Sequence, residues 1–354
     1  MPLLSNEKII GLDISDSELR LILLRKNRKK ITIISANRTA LSPETIVDGE
    51  IKKPEEFKNA VQKLLKTSKG SRIETDRVIT ALPESKTFIK ILHVTIKTDE
   101  KMEDALNHQI PNNIPVEIHN IYYDWQIINS SRNKDSVDYT VLVGVAPKTL
   151  SDSYSKIFQN MHLVPIAFEI EAAPISRCLL DDDSESGKII IDFGASRSSL
   201  ILYDKGTVQL SISLPISGNG ISQLISEKLK IHYEDAEKAK IICGLDEEKC
   251  KGGLKKVMIS ALDDLSEKIR DAIAFYENNF SDTNKIEKIL LTGGGANLLN
   301  IEKIIAEQIH LPVEVANPLK KIYKVHKDIQ INKNTMQSYT TAIGLALRGL
   351  TEKL

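Results

Sequence analysis

The chain has 354 residues, enough for about two or three domains of ordinary size. Its 48 basic and 48 acidic residues balance, which argues against a protein that binds nucleic acid through a broad cationic surface. No stretch approaches the roughly 18 consecutive apolar residues of a membrane-spanning helix, and residues 1–8 lack the apolar segment of a signal peptide. Three scattered cysteines, Cys178, Cys243 and Cys250, are typical of a reducing compartment and predict no zinc site; we interpret the seven-residue spacing of the last two as incidental.

The first predicted elements are three short strands joined by tight turns. Apolar runs at 8–14, 19–24 and 31–34 alternate with polar turns. A helix with one apolar face is predicted at 54–66, opened by a proline, and a strand at 77–82.

The next stretch, residues 84–165, reads as a separate small α/β unit inserted between two larger parts. Its predicted order is strand, helix, strand, strand and helix, at 87–94, 98–110, 121–128, 138–145 and 147–161. Pro111 and Pro115 are expected to break the first helix. A unit of about 80 residues can bury a modest core of its own.

The second part of the chain repeats the design of the first. Residues 188–194 form an apolar run that carries Asp192, a small polar turn follows, and two further runs end at residue 214. Asp192 lies 179 positions after Asp13, which holds the same place in the first part (192 − 13). Self-similarity over half the chain indicates a duplicated domain rather than a solenoid of short repeats. Helices at 221–229, 253–279, 298–310 and 336–350 and strands at 285–292 and 313–316 complete the prediction.

Three loops carry residue types suited to phosphate and magnesium. Asp13 and Asp192 each precede a small polar turn, whose backbone N–H groups and hydroxyls can hold phosphate oxygens. A carboxylate at such a turn suits a hydrated Mg²⁺ ion. The third loop, residues 293–297, joins a strand to a helix and holds three glycines, which let a ligand approach the backbone closely. Neither the P-loop motif nor the dinucleotide fingerprint GxGxxG is present.

These three loops resemble the phosphate-1, phosphate-2 and adenosine motifs of the actin-like ATPase superfamily, which includes actin, sugar kinases, the heat-shock chaperones and FtsA. Over nearly the whole chain the sequence is most similar to the PilM family of type IV pilus assembly, in Leu82-Pro83 and in the stretches 112–128, 141–150, 163–180 and 339–349. The resemblance implies an α/β, actin-like (RNase H-like) duplicated ATPase fold with an insert of the type called subdomain 1C.

The resemblance also implies a division of the chain. Subdomain 1A would take residues 1–83 and 166–187, and subdomain 1C residues 84–165. Subdomain 2A would take residues 188–216 and 285–334, subdomain 2B residues 217–284, and residues 335–354 would be a C-terminal helix returning to 1A.

Site residues carry over from the family motifs position by position, and they imply ATP with Mg²⁺ as the ligand. Asp13 and Asp192 would hold Mg²⁺ through water. The phosphate contacts would come from Ser15, Asp16, Ser17 and Arg20 in phosphate-1, from Gly194 and Ser196 in phosphate-2, and from Gly218 and Gly220 before the following helix. Contacts to the nucleoside would come from Glu237, Lys240, Gly293, Gly294, Gly295 and Asn297.

The sequence departs from the family pattern within both phosphate turns. Ser15 stands where the family has a glycine, and Asp16 adds a negative charge beside the expected polyphosphate. Arg197 in phosphate-2 is an unusual bulky cation that can offset this charge. No residue stands out as the base that positions an attacking water, so ATP turnover is expected to be slow at most.

The resemblance implies a cytoplasmic adaptor that lies at the inner membrane through protein partners rather than through an insertion of its own. Its expected partner is the N-terminal cytoplasmic peptide of PilN, bound at subdomain 1C; other inner-membrane assembly proteins and a homo-oligomer are open possibilities. One alternative is a sugar-kinase-like phosphotransferase, for which Asp124 and Glu169 are the available bases. Another is an FtsA-like division protein, although residues 351–354 do not continue into an amphipathic membrane helix.

Overall fold

The computed structural model describes residues 8–97, 100–181, 183–280 and 283–351. The predicted helix start at residue 98, the segment 1–7 and the last residues 352–354 lie outside these ranges. No helix in the described ranges is long and apolar enough to cross a membrane.

The first sheet opens with the three strands that the sequence predicts. They are followed by a short hairpin, a helix and a further strand: β1 (Ile10–Ile14), β2 (Glu18–Asn27), β3 (Lys30–Ala40), β4 (Ile46–Val47), β5 (Glu50–Ile51), α1 (Pro54–Lys66), β6 (Lys69–Gly70) and β7 (Arg77–Leu82). The helix begins at a proline, carries two acidic residues in its first turn and buries one face, the pattern from which it was predicted.

The insert then leads back to the first sheet. Its elements are β8 (Phe88–Lys97), α2 (Met102–Asn113), β9 (Ile121–Arg132), β10 (Ser136–Pro147), α3 (Lys148–Asn160), β11 (Val164–Ile170) and α4 (Ala172–Leu179). β8, β10 and β9 form an antiparallel insert sheet with its own core, whereas α3 packs its buried face among side chains of the first sheet. Strand β11 and helix α4 were not predicted.

The prediction that Pro111 breaks the insert helix is wrong. Helix α2 continues two residues beyond it, and the N–H of Ile114 still donates to the carbonyl of Ile110 at 2.8 Å. Because Pro111 lies in the last turn, its missing N–H costs one hydrogen bond at a helix end rather than in the middle.

The second sheet repeats the first. The elements that follow α4 are β12 (Gly187–Phe193), β13 (Ser198–Asp204), β14 (Thr207–Leu214), α5 (Gly218–Leu229), α6 (Tyr233–Cys243), α7 (Gly253–Asn279), β15 (Ile286–Thr292), α8 (Ile301–Ile309), β16 (Val313–Val315), β17 (Lys324–Val325) and α9 (Thr340–Thr351). Strands β12 to β16 form the second sheet, whereas β17 pairs with β3 of the first. The predicted helix at 253–279 has the same bounds as α7. Helices α8 and α9 start later than predicted, because a 3₁₀ turn precedes each of them, separated from α8 by a short bend and leading straight into α9.

Strand order shows the duplication directly. The first sheet runs β11-β7-β1-β2-β3-β17 and the second runs β14-β13-β12-β15-β16. In each sheet the opening strand, β1 or β12, pairs antiparallel with the next strand and parallel with a later one. Since parallel strands end at the same edge of a sheet, the loops after β1, β7 and β11, and those after β12 and β15, gather on one side.

Helices α4 and α9 share a hydrophobic core with both sheets. Ile22 and Ile33 of the first sheet, Ile190 and Ile201 of the second, and Ile343 of α9 belong to one buried cluster. The two helices pack closely: a side chain at Gly344 of α9 would place its Cβ 1.9 Å from the carbonyl oxygen of Pro174 in α4. Glycine therefore permits the close approach that joins the two sheets.

The interpretation of the Cys243 and Cys250 spacing as incidental is wrong, because the structure joins these residues in a disulfide. Cys243 ends α6, and the chain then turns back through Gly244, which has a φ of 53°. This reversal brings the two Cα atoms to 6.0 Å, within the usual range for a bridge.

Candidate nucleotide site

A cavity of about 380 Å³ lies between the first and second sheets, at the edge where their parallel strands end. We call it the cleft cavity. All but one of the sixteen residues that the sequence predicts for nucleotide binding line it: Asp13, Ser15, Asp16, Ser17, Arg20, Asp192, Gly194, Ser196, Gly218, Glu237, Lys240, Gly293, Gly294, Gly295 and Asn297. Gly220 is the exception; its N–H donates to the Ser217 side chain and caps α5.

The turn after β1 is held by its own serine and by a neighbouring hairpin. The N–H and hydroxyl of Ser15 both donate to the carbonyl of Glu18, at 3.1 and 2.9 Å. The carboxylate of Asp16 accepts from the N–H of Gly49, in the turn between β4 and β5, at 3.0 Å. The short β4–β5 hairpin is thus fastened to the first phosphate turn.

Arg20 neutralises the acidic residues of this turn. It pairs with Asp13 across the β1–β2 ladder at 2.9 Å and with Glu18 at 2.7 Å. Burial raises the pKa of Asp13, and the Arg20 guanidinium opposes the rise. Burial also raises the pKa of Asp192 to about 6, with a further contribution from the negative charge of Asp13.

The turn after β12 is bonded to the helix that follows β14. Carbonyls of Gly194 and Ala195 accept from the N–H groups of Gly218 and Asn219, at 3.0 and 2.8 Å. Because α5 begins here, its amino-terminal N–H groups and partial positive charge lie beside the second phosphate turn.

The glycine-rich loop after β15 requires two of its glycines. Gly293 has a φ of 78°, and a Cβ there would lie 2.2 Å from the Asp192 carboxylate. A Cβ on Gly295 would lie 2.5 Å from the ring of Phe193. Glycine at these positions keeps the loop against the strand that carries Asp192.

Glu237 and Lys240 lie one turn apart on α6, as predicted, and bind each other at 2.7 Å. The Lys240 ammonium also donates to the Gly218 carbonyl and to the Ser222 hydroxyl, both at 2.8 Å. These three acceptors use the three donors of the ammonium group, so Lys240 ties α6 to the start of α5.

Sequence reasoning missed two acidic residues of the cleft cavity, Glu84 and Glu171. Glu84 lies just beyond the end of β7 and Glu171 directly after β11, at the same edge of the first sheet as Asp13, which is the next-to-last residue of β1. Burial raises the pKa of Glu84 to about 7, and burial followed by repulsion from Glu84 raises that of Glu171 well above its usual range. The signal was the same strand-end acid that identified Asp13, but using it requires knowing that β7 and β11 run parallel to β1.

The two bases considered for a sugar-kinase-like enzyme are not among the residues that line the cleft cavity. Asp124 is exposed on the insert sheet. Glu169 is buried in β11, where Arg177 and Arg348 bind it.

Comparison with known proteins decides the family. Residues 11–350 match the family described as type IV pilus assembly protein PilM. The chain belongs to the PilM family. Among solved structures, a PilM–PilN type IV pilus biogenesis complex matches with a TM-score of 0.82 and 19% identity, over 98% of this chain and all of that one.

Other matches show the breadth of the fold. MreB5 of Spiroplasma citri bound to AMPPNP has a TM-score of 0.56 and 14% identity, over 98% of this PilM-family chain and 96% of that one. The cell division protein FtsA of Buchnera aphidicola is 26% identical over 197 residues, 48% of this chain and 46% of that protein; FtsA of Pseudomonas aeruginosa is 22% identical over 193 residues, 49% and 45%. This chain spans about half the length of these curated relatives, so the match over residues 11–350 favours PilM over the FtsA-like alternative. The predicted actin-like duplicated fold is confirmed.

Proposed function

We propose that the protein is a nucleotide-binding adaptor of the type IV pilus machine that holds the N-terminal tail of a PilN-like inner-membrane protein. The observation that carries this is the PilM family match over residues 11–350, joined to a structural likeness to a PilM–PilN complex along the whole chain. Such an adaptor would lie in the cytoplasm and reach the membrane through its partners. Contacts with other assembly proteins or with further copies of the chain belong to the same proposal, as does its division into subdomains 1A, 1C, 2A and 2B.

A nucleoside triphosphate fits the chemistry of the cleft cavity. The turns after β1 and β12 would flank the phosphates, while Glu237 and the glycine-rich loop would lie at the nucleoside. A relative with this fold, MreB5, has been solved with AMPPNP.

Magnesium fits the two strand-end aspartates. Asp13 is buried and Asp192 is half-buried, and each has a raised pKa because its charge is poorly solvated. These two carboxylates would hold a hydrated divalent cation, which would supply positive charge beside the phosphates.

Calorimetric titration with the slowly hydrolysed analogue ATPγS, with Mg²⁺ and then with EDTA, tests the nucleotide part. We expect binding that depends on Mg²⁺ and that weakens at least tenfold in Asp13→Asn. The matched control is Asp124→Asn at an exposed position of the insert sheet. This variant should bind the nucleotide as tightly as wild type. Absence of binding to wild type at millimolar nucleotide contradicts this part of the proposal.

The insert sheet has an open strand edge to which the tail of PilN could bind. β9 is an outer strand of that sheet and carries exposed apolar side chains at Tyr122 and Ile127. At its start, the Tyr122 hydroxyl donates to Asp152 of α3 at 3.1 Å, so this edge lies beside a helix. An extended peptide could add to β9 through backbone hydrogen bonds and place its apolar side chains against this edge.

Titration with a synthetic PilN tail peptide tests the partner, with and without Ile127→Lys. The charged side chain should weaken peptide binding about tenfold or more while leaving ATPγS binding unchanged. Ile242→Lys, on the exposed side of α6, is the control for a new lysine on an exposed isoleucine. Equal affinity of wild type and Ile127→Lys would move the peptide to another surface.

A further inference from the structure

The charge around the cleft cavity is unbalanced for a site that takes a polyphosphate. Among the described residues that line it, the acidic ones are Asp13, Asp16, Glu84, Glu171, Asp192 and Glu237, and the basic ones are Arg20, Arg197 and Lys240. Acidic side chains thus outnumber basic ones, six to three, before any nucleotide enters. A triphosphate therefore needs a cationic side chain that can turn toward it, besides any metal ion.

Two of the three basic side chains are committed to buried networks. The Arg20 guanidinium binds Asp13 and Glu18 and is 15% exposed. The Lys240 ammonium donates its three hydrogen bonds to the Gly218 carbonyl, the Ser222 hydroxyl and the Glu237 carboxylate. Releasing either one would leave buried carboxylates or carbonyls without their partner, which is costly.

Arg197 is held differently. It belongs to the turn after β12, its side chain is 41% exposed, and its partner is the 54% exposed carboxylate of Asp48. An exposed ion pair contributes little to stability, so this partner can be exchanged. The guanidinium also matches phosphate oxygens with two parallel N–H donors, as an ammonium group does not.

The Arg197–Asp48 pair also crosses the cleft. Asp48 lies in the β4–β5 turn with a φ of 51°, and the next residue, Gly49, donates its N–H to Asp16 of the first phosphate turn. The hairpin therefore connects the two phosphate turns, one through Asp16 and the other through Arg197. A ligand that takes Arg197 away from Asp48 breaks this link between the hairpin and the second sheet.

We propose that Arg197 recognises the terminal phosphate of a nucleoside triphosphate by exchanging Asp48 for its oxygens, and that the exchange frees the β4–β5 hairpin from the second sheet. The proposal rests on the nucleotide part of the proposed function and adds to it a residue that separates triphosphate from diphosphate. It also gives the bound nucleotide an effect on the molecular surface, at the hairpin.

Calorimetric titration with Mg-ATPγS and Mg-ADP tests the exchange in wild type, Arg197→Gln, Asp48→Asn and the double variant. We expect Arg197→Gln to weaken the binding of ATPγS about tenfold or more and the binding of ADP less than twofold. Asp48→Asn should tighten ATPγS several-fold because it removes the competing carboxylate, and this gain should vanish in the double variant. The control is Lys288→Gln, which breaks the exposed Lys288–Glu314 pair on another part of the second sheet and should leave both affinities unchanged.

Hydrogen exchange of a peptide spanning residues 46–51 provides a readout that does not depend on affinity. Mg-ATPγS should speed this exchange in wild type, and Asp48→Asn should speed it without nucleotide. If wild type binds both nucleotides and Arg197→Gln weakens them equally, or if the hairpin exchanges at one rate throughout, the proposal is wrong while nucleotide binding stands. If wild type binds neither nucleotide, the nucleotide part of the proposed function falls and this proposal with it.

Discussion

Glu169 shows how an acidic residue can be functional in appearance and structural in its contacts. The residue is 4% exposed, and its carboxylate accepts two hydrogen bonds from Arg177, at 2.8 and 3.0 Å, and one from Arg348 at 2.5 Å. These residues belong to β11, α4 and α9, so one carboxylate ties three elements together. A base that must take a proton from a substrate needs access and a free oxygen, and Glu169 has neither.

Glu169→Gln should therefore destabilise the fold. Removing the charge takes a buried carboxylate away from two partly buried guanidinium groups, and we expect a loss of about 3 kcal/mol in the free energy of unfolding, measured by urea titration. Glu314→Gln breaks the exposed pair with Lys288 and should cost less than about 1 kcal/mol. A loss no larger than that of Glu314→Gln would show that the buried triad is not a stabilising contact.

Glu84 carries a penalty that depends on pH. Its pKa in the fold is about 7, against 4.5 for an ordinary glutamate, because the carboxyl group is buried. Between these values the folded state holds more protons than the unfolded one, so stability falls as the pH rises from about 4.5 to about 7. One oxygen accepts from Ser211 of β14, and the backbone N–H of Ala172 also favours the charged form, but burial outweighs both contacts and raises the pKa.

Glu84→Gln should remove this pH dependence and leave the bond from Ser211 in place. In buffer with EDTA and no nucleotide, we expect the variant to match wild type near pH 4.5 and to be more stable at pH 8, by at most about 3 kcal/mol. Thermal unfolding across this pH range measures the difference. Glu227→Gln, exposed on α5, should show no such trend; a constant offset for Glu84→Gln at every pH would contradict the assignment.

At the scale of elements, local signals were sufficient where they were strong. Helices α1 and α7 have the predicted bounds because each has a clear apolar face. Strand β11 and helix α4 escaped prediction because the strand is mostly half-buried and the helix is short, with Pro174 in its first turn. Glu84 and Glu171 escaped for a different reason: their place in the site follows from the parallel pairing of distant strands, which no local pattern encodes.

The disulfide was also missed, although it joins residues only seven positions apart. It joins the end of α6, which carries Glu237 and Lys240, to the 3₁₀ turn before α7. Between the cysteines, the N–H of Leu245 donates to the carbonyl of Leu299, just after the glycine-rich loop, at 2.9 Å. The bridge therefore fastens one wall of the cleft cavity.

Cys250→Ser should lower the free energy of unfolding of the oxidised protein by about 2 kcal/mol. This is the contribution expected when a bridge that closes a short loop no longer restricts the unfolded chain. Reductant should lower the free energy of unfolding of wild type by the same amount and leave that of Cys250→Ser unchanged. Urea titration of each protein with and without reductant measures both values. Cys178→Ser keeps the bridge and tests whether loss of any cysteine has this effect. Identical titration curves for oxidised and reduced wild type would contradict a stabilising bridge.

At the scale of the whole molecule, the two sheets are not independent domains joined by a linker. Ile190 and Ile201 of the second sheet lie in the same buried cluster as Ile22 of the first and Ile343 of α9. The second sheet has a further core of its own on its other face, built largely from α7. Because the shared core contacts both sheets, weakening it should lower the stability of both sheets together.

Ile343→Ala tests this coupling. Its side chain is fully buried, so the substitution should cost about 2–5 kcal/mol and, because the residue touches the shared core, it should lower protection in both sheets together. Hydrogen exchange of peptides from β1 and from β12 measures the two sides separately under conditions that favour global opening. The control is Leu262→Ala, in the core that α7 forms with the second sheet. Leu262 is as buried as Ile343 and its replacement is chemically similar, so this variant should first lower the protection of the second sheet. If Ile343→Ala lowered the protection of β1 and left β12 as protected as in wild type, the two sheets would unfold separately. The cleft between them would then be held together by its ligand and its polar contacts alone.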